Sequence, residues 1–271
     1  MLIDMGERPA ILSRGYARSQ PSDGVVVVSD GRVIRADVAH SGDEPMMLAR
    51  EVPGAAVVVC ADRYLAGRVA EMQLGCTVHL LDDGFQHFQL ARNVDLLVAP
   101  PEDFADSRTL PFGRFREPLE AAGAADALLV PVGPVGGADT PAGMAERLKV
   151  SPAFGFERRI DAPQTSARVF AFAGIAKPQH FFDELTRAGW HLTGGRAFPD
   201  HHQYVQREID DLGREARSSG AELIVTTSKD AVRLSDHTAG GLPIEGVPLR
   251  ISIEPPFRLW LRERLLKARA A

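Results

Sequence analysis

Along this chain, short runs of β-branched and other apolar residues alternate with stretches whose apolar positions recur at helical spacing. That alternation predicts an α/β protein with a largely parallel sheet. Residues 9–12, 56–60, 78–81, 94–98 and 127–130 read as strands in the first half. Residues 25–28 and 32–35 flank Ser29-Asp30-Gly31, a hairpin signal through Asp-Gly. A helix is expected over 45–51, beginning at Pro45, where a missing N–H costs nothing, and another over 64–74. From 132 to 165 the chain is rich in Gly, Pro and Ala without a clear period and reads as a linker. Beyond it, strands are expected at 169–173, 222–226 and 249–253, and helices at 178–188, 206–219 and 257–270. The expectation is two α/β lobes, residues 1–131 and 166–271, joined across 132–165.

Composition narrows the class. The 271 residues are 45% hydrophobic and 25% charged, as in ordinary globular proteins. A net charge of −5 leaves no basic excess for general nucleic-acid binding. The two cysteines, Cys60 and Cys76, lack any metal or redox spacing, and Cys60 ends an apolar run, which suits a buried thiol in a reducing compartment. Residues 1–8 lack the regions of a signal peptide, and no apolar run reaches the ~18 residues of a membrane span. The chain as given is expected to be soluble and cytoplasmic.

The strongest chemical signal is Val78-His79-Leu80-Leu81-Asp82-Asp83-Gly84-Phe85-Gln86-His87. In open α/β sheets ligands gather beyond the carboxyl ends of strands, where carboxylates can hold Mg²⁺ against nucleotide phosphates. A plain Asp-Gly turn is the bland alternative. In Ser41-Gly42-Asp43-Glu44-Pro45, helix capping with dipole compensation is the favoured reading of the motif taken alone; as chemistry, Asp43 can accept a proton from a hydroxyl, with Glu44 positioning it. In Asp200-His201-His202, an aspartate beside a histidine can set its tautomer, or the segment is a helix start with surface histidines. Arg14, Arg18, Arg114 and Arg116 are of the type that binds phosphate bidentately, or are surface loop arginines. Arg63 and Lys229 each adjoin an aspartate and read equally as local ion pairs. The tail helix has apolar residues at helical spacing and a basic opposite face, and is expected to dock on a core rather than lie on lipid.

Taken in order, these segments resemble the tetraacyldisaccharide 4'-kinase family. The series is Leu12-Ser13-Arg14-Gly15-Tyr16, Gly42-Asp43-Glu44-Pro45, Asp62-Arg63, Asp82-Asp83-Gly84-Phe85-Gln86-His87, Arg116-Glu117-Pro118, then Phe172-Ala173-Gly174-Ile175-Ala176-Lys177-Pro178, Phe198-Pro199-Asp200-His201, and finally Thr227-Ser228-Lys229-Asp230-Ala231-Val232-Arg233. The resemblance implies two α/β/α lobes joined by a short β linker, the first related to P-loop hydrolases. It implies transfer of the ATP γ-phosphate to the 4'-hydroxyl of an acylated glucosamine disaccharide 1-phosphate, a lipid A precursor, with Mg²⁺. It places the chain peripherally at the cytoplasmic face of the bacterial inner membrane, on an anionic surface. Carried onto this sequence, Asp43 is the base assisted by His201, and Asp82 and Asp83 stand at the Walker-B position. Gln86 and His87 fall near metal and acceptor, and Arg14, Tyr16, Arg63 and Arg116 are contacts for substrate and phosphate.

The departures carry expectations too. The family opens with a strand, a Gly-rich loop ending Gly-Lys-Thr, and a helix; residues 1–8 resemble the tail of that helix, and G-x-x-x-x-G-K-[ST] occurs nowhere here. The expectation is a first lobe without its first strand and phosphate loop, inactive as given, from a start assigned too late or a shortened gene. Ala17 stands where the family has a glycine, and Asp106-Ser107-Arg108-Thr109 departs from the usual Phe-Gly-Asn-Gly. Two other functions remain open. One is a metal-dependent phosphoesterase using Asp82, Asp83, Asp200, His201 and His202, and the other a glycolipid-binding protein without catalysis.

Overall fold

The structure is a computed structural model describing residues 1–16, 18–104, 108–133, 140–234 and 239–270. Ala17 and Asp106-Ser107, noted above as departures, lie outside the described residues. Two compact units form: Met1–Asp83 with Ile160–Leu249, and Gly84–Arg159 with Arg250–Ala271.

In the first unit, residues Ile3–Met5 make a 3-10 turn closed by Gly6. Four strands follow: β1 (Pro9–Ser13), β2 (Val26–Asp30), β3 (Ala56–Val59) and β4 (Val78–Leu81), in the order β2-β3-β1-β4. β1 runs parallel to both β3 and β4, whereas β2 is an antiparallel edge. The return arm expected at 32–35 makes a single bridge, Ser29 with Ile34, because Asp30 spends its carboxylate on the Arg32 and Val33 N–H groups and tightens the turn. Helices α1 (Val38–Ser41), α2 (Asp43–Glu51) and α3 (Arg63–Met72) connect the strands. α2 starts two residues ahead of the proline, and α3 is capped by Asp62, whose carboxylate accepts from the Tyr64 and Leu65 N–H groups.

β3 shows why the layers form. Its four residues are all buried, as a central parallel strand requires. Ala56 and Val58 face Ala66 and Ala70 of α3, while Val57 and Val59 face Met46 and Ala49 of α2. Period two in the strand thus feeds period 3.6 in two helices on opposite faces.

The second unit takes β5 (Leu96–Val98), β6 (Ala127–Pro131) and β7 (Ala153–Ile160), all parallel, plus the last strand β12 (Leu249–Ile253), in the order β12-β7-β6-β5. Helix α4 (Pro141–Leu148), with Thr140 as cap and Pro141 at its first position, packs Met144 and Leu148 onto Leu128 and Val130. The last helix, α8 (Pro255–Ala270), docks Phe257 against Phe154 at 5.3 Å between ring centroids, with Leu261 also buried. Within the stretch read as linker, the structure therefore holds a helix and an eight-residue strand. Pro141, Ala142, Gly143 and Ala145, which weakened the pattern, are part of a helix capped by Thr140, not an aperiodic tether.

Returning to the first unit, β8 (Arg168–Ala173), β9 (His191–Ala197), β10 (Leu223–Thr227) and β11 (Ile244–Val247) form a parallel sheet ordered β11-β10-β8-β9. β8 alternates strictly: Phe170 and Phe172 meet Ile209 and Leu212, and Val169, Ala171 and Ala173 meet Phe181 and Leu185. Those partners come from α5 (Pro178–Arg187) and α6 (Gln206–Ser218). A one-turn helix, α7 (Ser228–Ala231), follows β10 and is capped by Thr227. The expected lobes at 1–131 and 166–271 ran along the chain; the compact units interleave instead, because this sheet joins β1–β4 in one unit while β5–β7 recruit the C-terminus. Val232, just past α7, is buried with Met46 and Val57. That apolar contact brings the end of β10 beside the start of α2.

Candidate functional site

The site is assembled from helix starts and strand ends of the first unit. Asp43 is the first residue of α2, and Gly42 before it has φ +88°. A side chain on Gly42 would also meet the Tyr16 carbonyl oxygen at 3.0 Å, so glycine is required twice over. The Asp43 carboxylate is 11% exposed. Its Oδ2 receives Nε and Nη2 of Arg233 at 2.7 and 2.5 Å and lies 3.5 Å from His201 Nδ1. Asp43 and His201 are thus brought together.

His201 stands at φ +57° after β9, its backbone N–H held by its neighbour Asp200 at 3.0 Å. Its Nε2 is 3.3 Å from Lys229 Nζ. A neutral imidazole has one donor and one acceptor. A bare Nε2 suits the Lys229 ammonium, and Nδ1 lies between Asp43 Oδ2 and, at 3.4 Å, Arg233 Nη2. Tyr16, 76% exposed, sets its ring edge-on to His201 at 6.1 Å.

Lys229 and Arg233 are the residues that motif reading left unassigned. Lys229 does not pair with adjacent Asp230; it reaches Glu44 Oε1 at 3.0 Å. Arg233 is spaced four residues on, which puts both cations on the face that meets Asp43 and Glu44. That i,i+4 pair was the signal available in the sequence. Behind them Asp230, fully buried, accepts from the Gly174 N–H, the Tyr204 and Thr227 hydroxyls and Arg233. Burial, and then the charge of Asp230, push the Tyr204 hydroxyl well above the usual tyrosine range.

Asp82 and Asp83 directly follow β4, next to the end of β1. Ser13 donates to Asp82 Oδ2 at 3.1 Å. Burial raises the Asp82 carboxyl above the usual range and the Glu44 and Asp83 charges add to this, against the Ser13 hydrogen bond. Asp83 adopts φ +54°. Arg63, at the start of α3, is buried; its Nη1 donates to the Cys60 and Ala61 carbonyls, and its Nε has no hydrogen-bond partner. Burial, followed by the charge of Arg14, lowers its affinity for its proton. Arg18 Nη1 is likewise buried and unpartnered. The unpartnered Arg63 Nε, under the charges of Asp82, Asp83 and the cation Arg14, suits an anion.

The remaining expected residues belong to the second unit. Gln86 accepts from Arg116 Nη1 at 3.3 Å, and the His87 carbonyl accepts from Arg92 at 2.7 Å. The Asp-His-His grouping does not form: the His202 imidazole is bound to Glu208 at 2.8 Å and stacked on Phe198 at 4.8 Å. Among the described residues no group of three or more His, Cys, Asp and Glu side chains is placed to hold a metal ion.

Comparison with known proteins converges. The profile of the family described as "LpxK: Tetraacyldisaccharide-1-P 4'-kinase" matches residues 1–266. A "Tetraacyldisaccharide 4'-kinase" of Pelobacter propionicus is 40% identical over 247 residues, 86% of this chain and 67% of that one. One from Geobacter sulfurreducens is 38% identical, covering 92% and 72%, and one from Bradyrhizobium diazoefficiens 39% identical, covering 99% and 78%. The crystal structure of LpxK from Aquifex aeolicus in complex with ATP superposes with a TM-score of 0.75 at 27% identity, over 97% of this chain and 80% of that chain.

Proposed function

The chain belongs to the tetraacyldisaccharide 4'-kinase family, a family of phosphotransferases acting on a hydroxyl group, and on that premise we propose its reaction and the residues that carry it. The reaction is transfer of the ATP γ-phosphate to the 4'-hydroxyl of tetraacyldisaccharide 1-phosphate, in lipid A biosynthesis. The observation that carries the assignment of roles is the contact of His201 with Asp43 at 3.5 Å, made between two distant segments of the chain. Asp43 takes the proton of the acceptor hydroxyl, and His201 steadies the carboxylate from beside Oδ2. Glu44 and Lys229 hold the next layer.

Asp82 and Asp83 suit Mg²⁺, which characteristically takes one or two protein carboxylates and completes its shell with phosphates and water. Bound there, the ion would neutralise charge on the transferring phosphate. Arg14 and Arg63 are the phosphate contacts, supported by the unpartnered Arg63 Nε. Tyr16, Gln86, His87 and Arg116 are assigned to acceptor and metal by the family resemblance. The acceptor is acylated, and we place the protein peripherally at the cytoplasmic face of the inner membrane, on anionic lipid and without a nucleic-acid partner. Among the described residues no helix is long and apolar enough to cross a membrane.

The assay uses the product of the whole reading frame that contains this sequence. Labelled phosphate is expected to pass from γ-labelled ATP to the disaccharide 4' position with Mg²⁺, and Asp43→Asn is expected to lower kcat by roughly 10²–10⁴-fold with little change in KM. Glycolipid binding without transfer would overturn the assignment.

A further inference from the structure

The side chain of Arg233 is only 3% exposed and spans two carboxylates. On one side it meets Asp43 Oδ2 through Nε at 2.7 Å and Nη2 at 2.5 Å. On the other, Nη1 donates to Asp230 Oδ1 at 3.1 Å and to the His202 carbonyl at 3.3 Å. Asp230 is itself fixed by three further donors: the Gly174 N–H at 3.0 Å, the Tyr204 hydroxyl at 2.9 Å and the Thr227 hydroxyl at 2.7 Å. Even the space is tight, since a side chain on Gly174 would sit 2.7 Å from the Tyr204 oxygen. A planar guanidinium gripped this way on one edge presents its other edge in a fixed plane.

The contacts of Asp43 are one-sided. Arg233 and His201 both address Oδ2, and among the described residues Oδ1 accepts no hydrogen bond. We propose that Arg233 is a positioning residue of the phosphoryl transfer: it fastens Oδ2 so that Oδ1 is the atom that receives the proton of the acceptor hydroxyl. The inference rests on the reading of Asp43 as base. As the hydroxyl oxygen forms its bond to the γ-phosphorus, its proton passes to Oδ1, and the bond from phosphorus to the bridging oxygen breaks with the electron pair leaving on ADP. A carboxylate pinned through one oxygen keeps the other at a set distance, and a misplacement of about 1 Å at such a step costs on the order of 10²-fold in rate. Lysine at 233 would keep the charge but lose the fork.

The test compares Asp43→Asn, Arg233→Lys and the double variant of the whole reading-frame product, measuring kcat and KM together with thermal melting. Arg233→Lys is expected to lower kcat roughly 10–100-fold while KM for ATP and for the disaccharide stays within about twofold. Because Arg233 acts through Asp43, the double variant is expected to be no slower than Asp43→Asn alone. A wild-type kcat in Arg233→Lys, or losses that multiply in the double variant, overturns the positioning role and leaves the base assignment standing. A wild-type kcat in Asp43→Asn removes the base and this role together. Should Arg233→Lys melt early, Tyr204→Phe deletes only the hydroxyl that steadies Asp230; a severalfold drop in kcat supports the role, and an unchanged kcat counts against it.

Discussion

At the scale of single residues, the sequence named the acids and His201 but not the cations that hold them. Lys229 sits next to Asp230 in sequence and looked like half of a local pair; its partner is Glu44, contributed by a different helix. Motif reading weighs neighbours along the chain, and this contact exists only because Val232 is buried against Met46. His202 shows the opposite case, a residue that looked chemical and is structural. It binds Glu208, whose carboxylate also accepts the Val205 N–H at the start of α6. The His202 hydrogen bond, then that N–H, hold the Glu208 carboxyl below the usual glutamate value of 4.5. A carboxyl whose value is depressed in the folded state contributes stability that is present above the unfolded value and is lost as pH falls through the folded one. Glu208→Gln is therefore expected to lower stability near neutral pH by roughly 0.3–1 kcal/mol, as for solvent-screened pairs. The difference should shrink steadily as pH drops below 4.5, followed by thermal melts at several pH values. A difference that grows on acidification would contradict the assignment.

At the scale of elements, strong period-two and period-3.6 runs were legible. β4 and β12 lie where the pattern put them, and β8 and α5 within a residue. What was not legible were strands whose composition argues against them. β9 reads His-Leu-Thr-Gly-Gly-Arg-Ala and carries two glycines, yet it extends β8 as an edge, where only one neighbour must be satisfied. Gly194 fits there because its missing side chain leaves room for the Phe170 ring. β7 was hidden by its Gly/Pro/Ala-rich surroundings, and its register with β6 supplies what its composition lacks. Among helices, burial decides consequence. Met46 on α2 is 2% exposed and packs against Val57, Val59 and Val232, whereas Met72 on α3 is 69% exposed. Met46→Ala is expected to cost about 2–5 kcal/mol in urea denaturation, and Met72→Ala less than about 0.5 kcal/mol. Equal losses would mean that α2 does not pack as described.

At the scale of the whole molecule, the α/β class could be read from alternation alone, but strand order could not. Sheet order depends on which strands meet in space, and here each unit is built from segments separated by the other. The second unit closes only when α8 returns to lay Phe257 and Leu261 on the face that includes Phe154. Removing residues 255–271 is expected to raise amide hydrogen exchange in β6 and β7 far more than in β1 and β3; uniform protection would refute the division into units. Interleaving also has a consequence in time. Asp43 and Arg233 are separated by 190 positions, which a ribosome covers in roughly 10–40 s. Throughout that interval a nascent chain carries the carboxylate without the guanidinium that seats it, so competence waits for the later segment, and a product released before it would be born without it.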